Sequence, residues 1–189
     1  MLLETLRCEN GAVLHLPYHQ ARLDQSLKCI HALRQYDLKS LIHPPSAGIY
    51  RCRFLYDETE YKVEFHPYTP RVTTSLKLIY DDTIDYSLKD SNRDALNALY
   101  EQRGECDDIL IVKNGLLTDT SIANVALWIE GKWFTPQTPL LAGTTRARLL
   151  DEGFLTPALL HPGDIARATK VAIFNAMVDF LEVESGIIS

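Results

Sequence analysis

The sequence has no apolar run long enough to form a helical membrane span. Its first ten residues, MLLETLRCEN, lack a basic stretch followed by an apolar one, so no signal peptide is expected. The four cysteines, Cys8, Cys29, Cys52 and Cys106, form no C-x-x-C pair, which argues against a disulfide scaffold and leads us to expect reduced thiols in a cytoplasm. The six histidines show neither H-x-H nor H-E-x-x-H spacing, so no metal centre is expected. Positive charge is scarce: the net charge of −6 argues against a nucleic-acid binder, although a few arginines in a cleft still suffice for a small anion. There is no internal repeat and no low-complexity segment. What remains is globular in composition, 46% apolar and 23% charged, and 189 residues allow one large domain or two small ones sharing a core.

Periodicity then sketches the elements. Leu2–Arg7 and Gly11–Leu16 read as strands around an Asn10-Gly11 turn. A helix is expected from Tyr18 to Leu33, burying Leu23, Leu27 and Ile30, with Ala21 joining them, before His43-Pro44-Pro45 interrupts. Gly48–Tyr56 and Glu60–Pro67 form a second hairpin pattern. The polar stretch that follows is read as a linker over 69–75, dividing a smaller N-terminal α/β subdomain, 1–68, from a larger barrel-like one, 76–189. In the second part, strands are expected at Leu76–Tyr80, Ile109–Val112, Leu116–Asp119, Val125–Ile129, Val171–Asn175 and Phe180–Val183. Helices are expected from Asn92 to Gln102, capped by Asp90 or Ser91 and burying Ala95, Leu96 and Leu99, and from Thr144. Hairpins outnumber βαβ alternations, so the class is α+β.

Four stretches carry chemistry. In YSLKDSNRDALNALY, Lys89 lies just before the expected helix start, where the dipole disfavours an ammonium ion and favours a nucleophilic amine; a solvated surface lysine is the plainer alternative. In GLLTDTSIANVALW, Asp119 ends a strand and Asn124 opens the next; taken alone, Asp119 reads as an ordinary turn aspartate. Gly143-Thr144-Thr145 precedes a helix and can be an anion site or a simple cap. Arg22 is either a surface arginine or one turned inward on a phosphate.

Taken in register, these stretches resemble the class IV aminotransferase family, the fold-type IV PLP enzymes. The matching motifs are His19-Gln20-Ala21-Arg22-Leu23, Lys89-Asp90-Ser91-Asn92-Arg93, Thr118-Asp119 through Asn124, Leu141-Ala142-Gly143-Thr144-Thr145-Arg146, and Asn175-Ala176. The resemblance covers nearly the whole chain. It implies two α/β subdomains with the site between them, a homodimer, and pyridoxal 5'-phosphate as cofactor. Lys89 is then the catalytic Schiff-base lysine. Arg22, Gly143, Thr144 and Thr145 hold the phosphate, Asp119 pairs with the pyridine nitrogen, Asn124 supports it, and Asn175 and Ala176 lie near the substrate and phosphate.

Three features depart from the family pattern. Asp119 replaces the usual glutamate and is one methylene shorter. The chain starts at LLETLR, resembling the family's F-E-T-x-R strand, so part of the substrate wall is expected to be absent or to come from a neighbouring subunit. Asp94 stands where branched-chain enzymes have a tyrosine.

The Lys89–Arg93 and Asn175-Ala176 patterns lean toward 4-amino-4-deoxychorismate lyase, which releases pyruvate to give p-aminobenzoate for folate biosynthesis. The alternatives are an amino-acid aminotransferase of branched-chain or D-amino-acid type, and a non-catalytic scaffold relative. Arg7, Arg93 and Arg146 are the candidate grips for the carboxylates of a small anionic, amino-acid-like substrate.

Overall fold

The computed structural model describes residues 1–70, 72–184 and 187–188. The chain forms two units: Met1–Pro70 with Leu88–Asn92, and Arg71–Ser87 with Arg93–Ser189. A linear division at 69–75 puts Leu88–Asn92 in the second half, but this stretch packs with the first unit.

The first unit holds an antiparallel sheet in the order β2-β1-β3-β4. Its strands are β1 (Leu2–Glu9), β2 (Ala12–Val13), β3 (Ile49–Tyr56) and β4 (Tyr61–Pro67). Asn10 and Gly11 both adopt positive φ, 49° and 83°, as a tight two-residue hairpin turn requires. The predicted Gly11–Leu16 strand shortens to β2 because Pro17 starts helix α1 (Leu16–Cys29). Helix α1 buries His19, Leu23, Ser26 and Leu27, a single stripe at helical spacing, while Ala21 faces solvent. A four-residue helix, α2 (Leu38–Leu41), completes the cover. Leu6, Leu23, Leu27, Leu38, Phe54 and Tyr56 form the core, with Leu88 packed against it.

The second unit is built on a nine-stranded mixed sheet. Its strands are β5 (Leu76–Tyr80), β6 (Asp108–Lys113), β7 (Leu116–Thr120), β8 (Asn124–Ile129), β9 (Lys132–Pro136), β10 (Leu155–Ala158), β11 (Lys170–Asn175), β12 (Asp179–Glu182) and β13 (Ile187–Ile188). One path runs β10-β9-β8-β7-β6-β5-β13, and β11 pairs with both β8 and β12. Two helices pack on it, α3 (Asp94–Tyr100) and α4 (Thr144–Asp151). Strand alternation gives the sheet two apolar faces. Leu110 and Val112 of β6 join one cluster with Leu127 and Ile173, while Ile109 and Ile111 meet Leu96 and Leu99 of α3.

β6 and β7 are not in simple register. Leu110 pairs with Thr120 and Val112 with Leu117, so β7 carries one residue more than its partner between these pairs. The bulge falls on Thr118 and Asp119, and Thr118 Oγ1 donates to Ile111 O at 2.8 Å, which pins it.

Candidate active site

Among the described residues each unit buries polar side chains, and one group in each contains predicted site residues. In the first, the even-numbered side chains of β1 face the core: Leu2, Leu6 and Cys8 are apolar, and Glu4 takes the remaining place with 0% exposure. Its carboxylate accepts three hydrogen bonds. Arg22 Nε donates to Oε1 at 2.7 Å, Arg22 Nη2 to Oε2 at 2.7 Å, and His19 Nδ1 lies 2.6 Å from Oε2. Burial alone pushes the Glu4 carboxyl up, but the Arg22 charge and the hydrogen bonds from His19 and Arg22 outweigh it and hold it at about 2. His19, 1% exposed, is pushed down by burial, and the Arg22 and Lys89 charges add to that against the pull of Glu4. An ionised carboxylate only accepts, so the neutral ring carries its proton on Nδ1 and donates it to Glu4. The contact is a hydrogen bond from a neutral imidazole rather than an ion pair.

Lys89 belongs to the same unit as this cluster, its charge acts on His19, and Asp90 N–H donates to Leu88 O at 2.9 Å in a tight turn around it. Leu2 and Asp90 form an antiparallel bridge, Leu3 N–H donates to Lys89 O at 2.8 Å, and Ser91 N–H donates to Met1 O at 3.0 Å. The helix expected from Asn92 begins only at Asp94, with Arg93 at the cap position. Asp90 accepts from Asn92 N–H at 2.8 Å and turns the chain locally instead of capping a helix. Edge pairing with β1 satisfies the backbone around Lys89, so the dipole argument for this amine does not hold. Ala95, expected on the buried face, is exposed, and Leu96 and Leu99 alone make that face. Arg7, on the opposite face of β1 from Glu4 by strand alternation, pairs with Glu9 at 3.2 Å and stays outside the cluster.

The second cluster centres on Asp119, presented by the bulge in β7. Asn124, its register partner on β8, donates from Nδ2 to Asp119 Oδ1 at 2.8 Å and to Leu141 O at 2.9 Å. Leu141 N–H donates to Asp119 Oδ2 at 2.8 Å. Burial raises the Asp119 carboxyl to about 7; these donors and the Arg146 charge only partly offset it. At Gly143, two residues after Leu141, an added Cβ would lie 2.0 Å from Asn124 Oδ1, so a larger residue there requires Asn124 to shift. Helix α4 follows, and its first intrahelical donor is Ala147 N–H, to Gly143 O at 3.0 Å. The amides of Thr144, Thr145 and Arg146 therefore stand outside the helix's own ladder, beside two buried threonine side chains.

Arg93 and Asn175 grip the turn between β7 and β8. Arg93 Nη2 donates to Ser121 O at 2.6 Å, with its guanidinium 5.8 Å from the Tyr86 ring centroid. Asn175 Nδ2 donates to Ile122 O at 3.2 Å, while its Oδ1 accepts from Met177 and Val178 N–H. Ala176 follows within that second turn. Arg146 Nη2 donates to Pro136 O at 2.8 Å; burial lowers the pKa of its guanidinium, and Asp119 opposes that. Sequence reasoning gave no role to Glu4 or His19. The available signal was a carboxylate in phase with Leu2, Leu6 and Cys8, since a buried polar residue is the informative exception in a core strand.

The mixed sheets and packed helices define an α+β fold with close structural matches among fold-type IV PLP enzymes. The chain belongs to the class IV aminotransferase family: the model described as "Amino-transferase class IV" matches residues 56–185. It is 38% identical over 182 residues to an "uncharacterized protein" of Haemophilus influenzae, covering 93% of this chain and 97% of that one. It is also similar to the crystal structure of a "putative 4-amino-4-deoxychorismate lyase" from Haemophilus somnus 129pt. That likeness has 36% identity and a TM-score of 0.88, and covers 93% of this chain and 95% of the other. A "putative amino-acid aminotransferase" from Mesorhizobium loti shares the fold at 22% identity and a TM-score of 0.81, with 99% of each chain covered. The family comprises pyridoxal phosphate-dependent aminotransferases and lyases. Among the described residues no helix is long and apolar enough to cross a membrane.

Proposed function

We propose that the chain binds pyridoxal 5'-phosphate and acts as a 4-amino-4-deoxychorismate lyase-like enzyme, releasing pyruvate and leaving p-aminobenzoate. The observation that carries the reading is Asp119. A fully buried carboxylate held by neutral donors and raised to about 7 calls for a proton or a cationic N–H, and a protonated pyridine nitrogen supplies one. As the family resemblance implies, Lys89 would supply an amine for the aldehyde, and Arg22 and the Gly143–Thr145 turn would each offer donors for a phosphate.

Bound pyridoxal phosphate supplies an electron sink. The protein's own residues do the rest. Lys89 would supply the amine that meets the aldehyde and would take and return protons at its Nζ. Asp119 would pair with the ring nitrogen and favour its protonation, with Asn124 Nδ2 and Leu141 N–H fixing the two carboxylate oxygens. Arg93 and Asn175 hold the 121–122 carbonyls so that the turn after Asp119 keeps its shape. The lean toward the lyase is supported by the Lys89–Arg93 and Asn175-Ala176 motifs and by the likeness to the Haemophilus somnus protein. We take the working form to be a cytoplasmic homodimer serving folate biosynthesis.

The test loads the protein with pyridoxal phosphate, reduces it with borohydride and maps the label, expected on Lys89. Supplying aminodeoxychorismate should then yield p-aminobenzoate and pyruvate in equal amounts. Keto acid from an amino-acid panel without aminobenzoate replaces the lyase by an aminotransferase. A protein that takes up no cofactor is a scaffold, and the proposal fails.

A further inference from the structure

We propose that His19 is a positioning residue for anion binding by Arg22: its Nδ1–H fixes the Glu4 carboxylate, and that carboxylate fixes the plane of the guanidinium. The inference rests on the reading of Arg22 as a phosphate ligand and adds the device that orients it.

Arg22 is gripped at two nitrogens along one edge, Nε and Nη2, each 2.7 Å from a different Glu4 oxygen. A planar group held at two points has no free rotation in its plane, so its direction is set before any ligand arrives. Glu4 has its own torsions to fix, and His19 fixes them by a 2.6 Å hydrogen bond to Oε2. The ligand and its prop lie three residues apart on α1, on neighbouring helical positions. The intermediary comes from β1, so helix and strand brace each other.

Position 19 shares its buried stripe with Leu23 and Leu27, where a leucine would fill the space without desolvating a ring nitrogen. A histidine there is compensated by what its Nδ1–H does for Glu4. An arginine already ordered loses no further rotamer freedom when the anion binds, which strengthens binding without a new contact.

The experiment measures dissociation constants for pyridoxal phosphate and for pyridoxal by absorbance titration, with a urea denaturation curve for each protein. The pyridoxal constant divided by the pyridoxal phosphate constant isolates the phosphate's contribution and needs no turnover. His19→Leu should lower the wild-type ratio by about tenfold, the scale of one charge-assisted hydrogen bond. His19→Asn, whose Nδ2 sits where the imidazole Nδ1 does, should restore the ratio to within about twofold of wild type. His19→Gln, whose amide reaches past that point, should not. Should His19→Leu fail to fold, the Asn and Gln variants decide, and equal ratios overturn the inference. Lost stability with an unchanged ratio also overturns it, since His19 then only holds the fold. A wild type that does not discriminate pyridoxal phosphate from pyridoxal removes Arg22 from the phosphate site and takes the inference with it. A discriminating wild type with equally discriminating variants overturns the inference alone.

Discussion

Asn124 and Asp119 face each other in register across the β7–β8 turn, and one amide nitrogen of Asn124 ties Asp119 Oδ1 to the carbonyl of Leu141. Gly143 makes room for that amide. Its backbone is unstrained, with φ at −67°, so the bar to a larger residue is contact alone: a Cβ 2.0 Å from Asn124 Oδ1. Because Asn124 is held by two hydrogen bonds, it cannot move aside freely. Gly143→Ala should therefore destabilise the protein by about 1–3 kcal/mol in urea denaturation. In an Asn124→Ala background the same change should cost much less. An equal cost in both backgrounds would place the clash elsewhere.

Asp119 gives the cofactor-free protein a distinctive pH dependence. Burial raises its pKa from 3.8 to about 7, so the folded state favours the protonated form. The associated stability is complete below the unfolded value near 3.8 and is lost as pH rises through about 7. The loss is on the order of 4 kcal/mol. Comparing wild type with Asp119→Asn by urea denaturation from pH 4 to 8 should show this falling limb in wild type and its absence in the variant. Parallel curves would mean that Asp119 is already ionised at pH 4.

Much of this architecture is local and so legible in the chain. Asn10-Gly11 and Asn114-Gly115 both occupy the left-handed region that their hairpins need, and the turn signal alone locates them. The motifs pointed to Asp119, Asn124 and Gly143 one by one, and these three do form one contact group. What escaped is non-local. Lys89 pairs with a strand more than eighty positions earlier, so the helix expected from Asn92 starts only at Asp94, after an edge pairing that sequence periodicity does not reveal. The bulge that presents Asp119 depends on the register of β6 against β7. β10 went unread because Pro157 masks it, although proline is tolerated where it lies, at the end of the strand order next to β9. Ala21 and Ala95 were assigned to buried faces and are exposed, since a methyl group contributes too little to fix a helix's orientation.

Arg93 was a candidate grip for a substrate carboxylate, but its guanidinium donates to Ser121 O and stacks near Tyr86. Its loss should register first in stability. Arg93→Ala should cost about 1–2 kcal/mol in denaturation and weaken cofactor retention through the loosened turn. A variant with wild-type stability and a raised KM alone would return Arg93 to the substrate.

Glu4 contributes to the acid limb. Its pKa falls from 4.5 to about 2, because Arg22 and His19 together overcome the cost of burial. The stabilisation is fully present above the unfolded value and is lost as pH drops through about 2. Glu4→Gln keeps the shape but removes the charge, leaving Arg22 half-buried without its counter-ion. At pH 7 the variant should be destabilised by about 3 kcal/mol or more. Lowering the pH toward 2 protonates the wild-type carboxyl and should bring the two proteins together. A gap that stays constant from pH 7 to pH 2.5 would show that Glu4 is not the group titrating, and that its bond to Arg22 survives protonation.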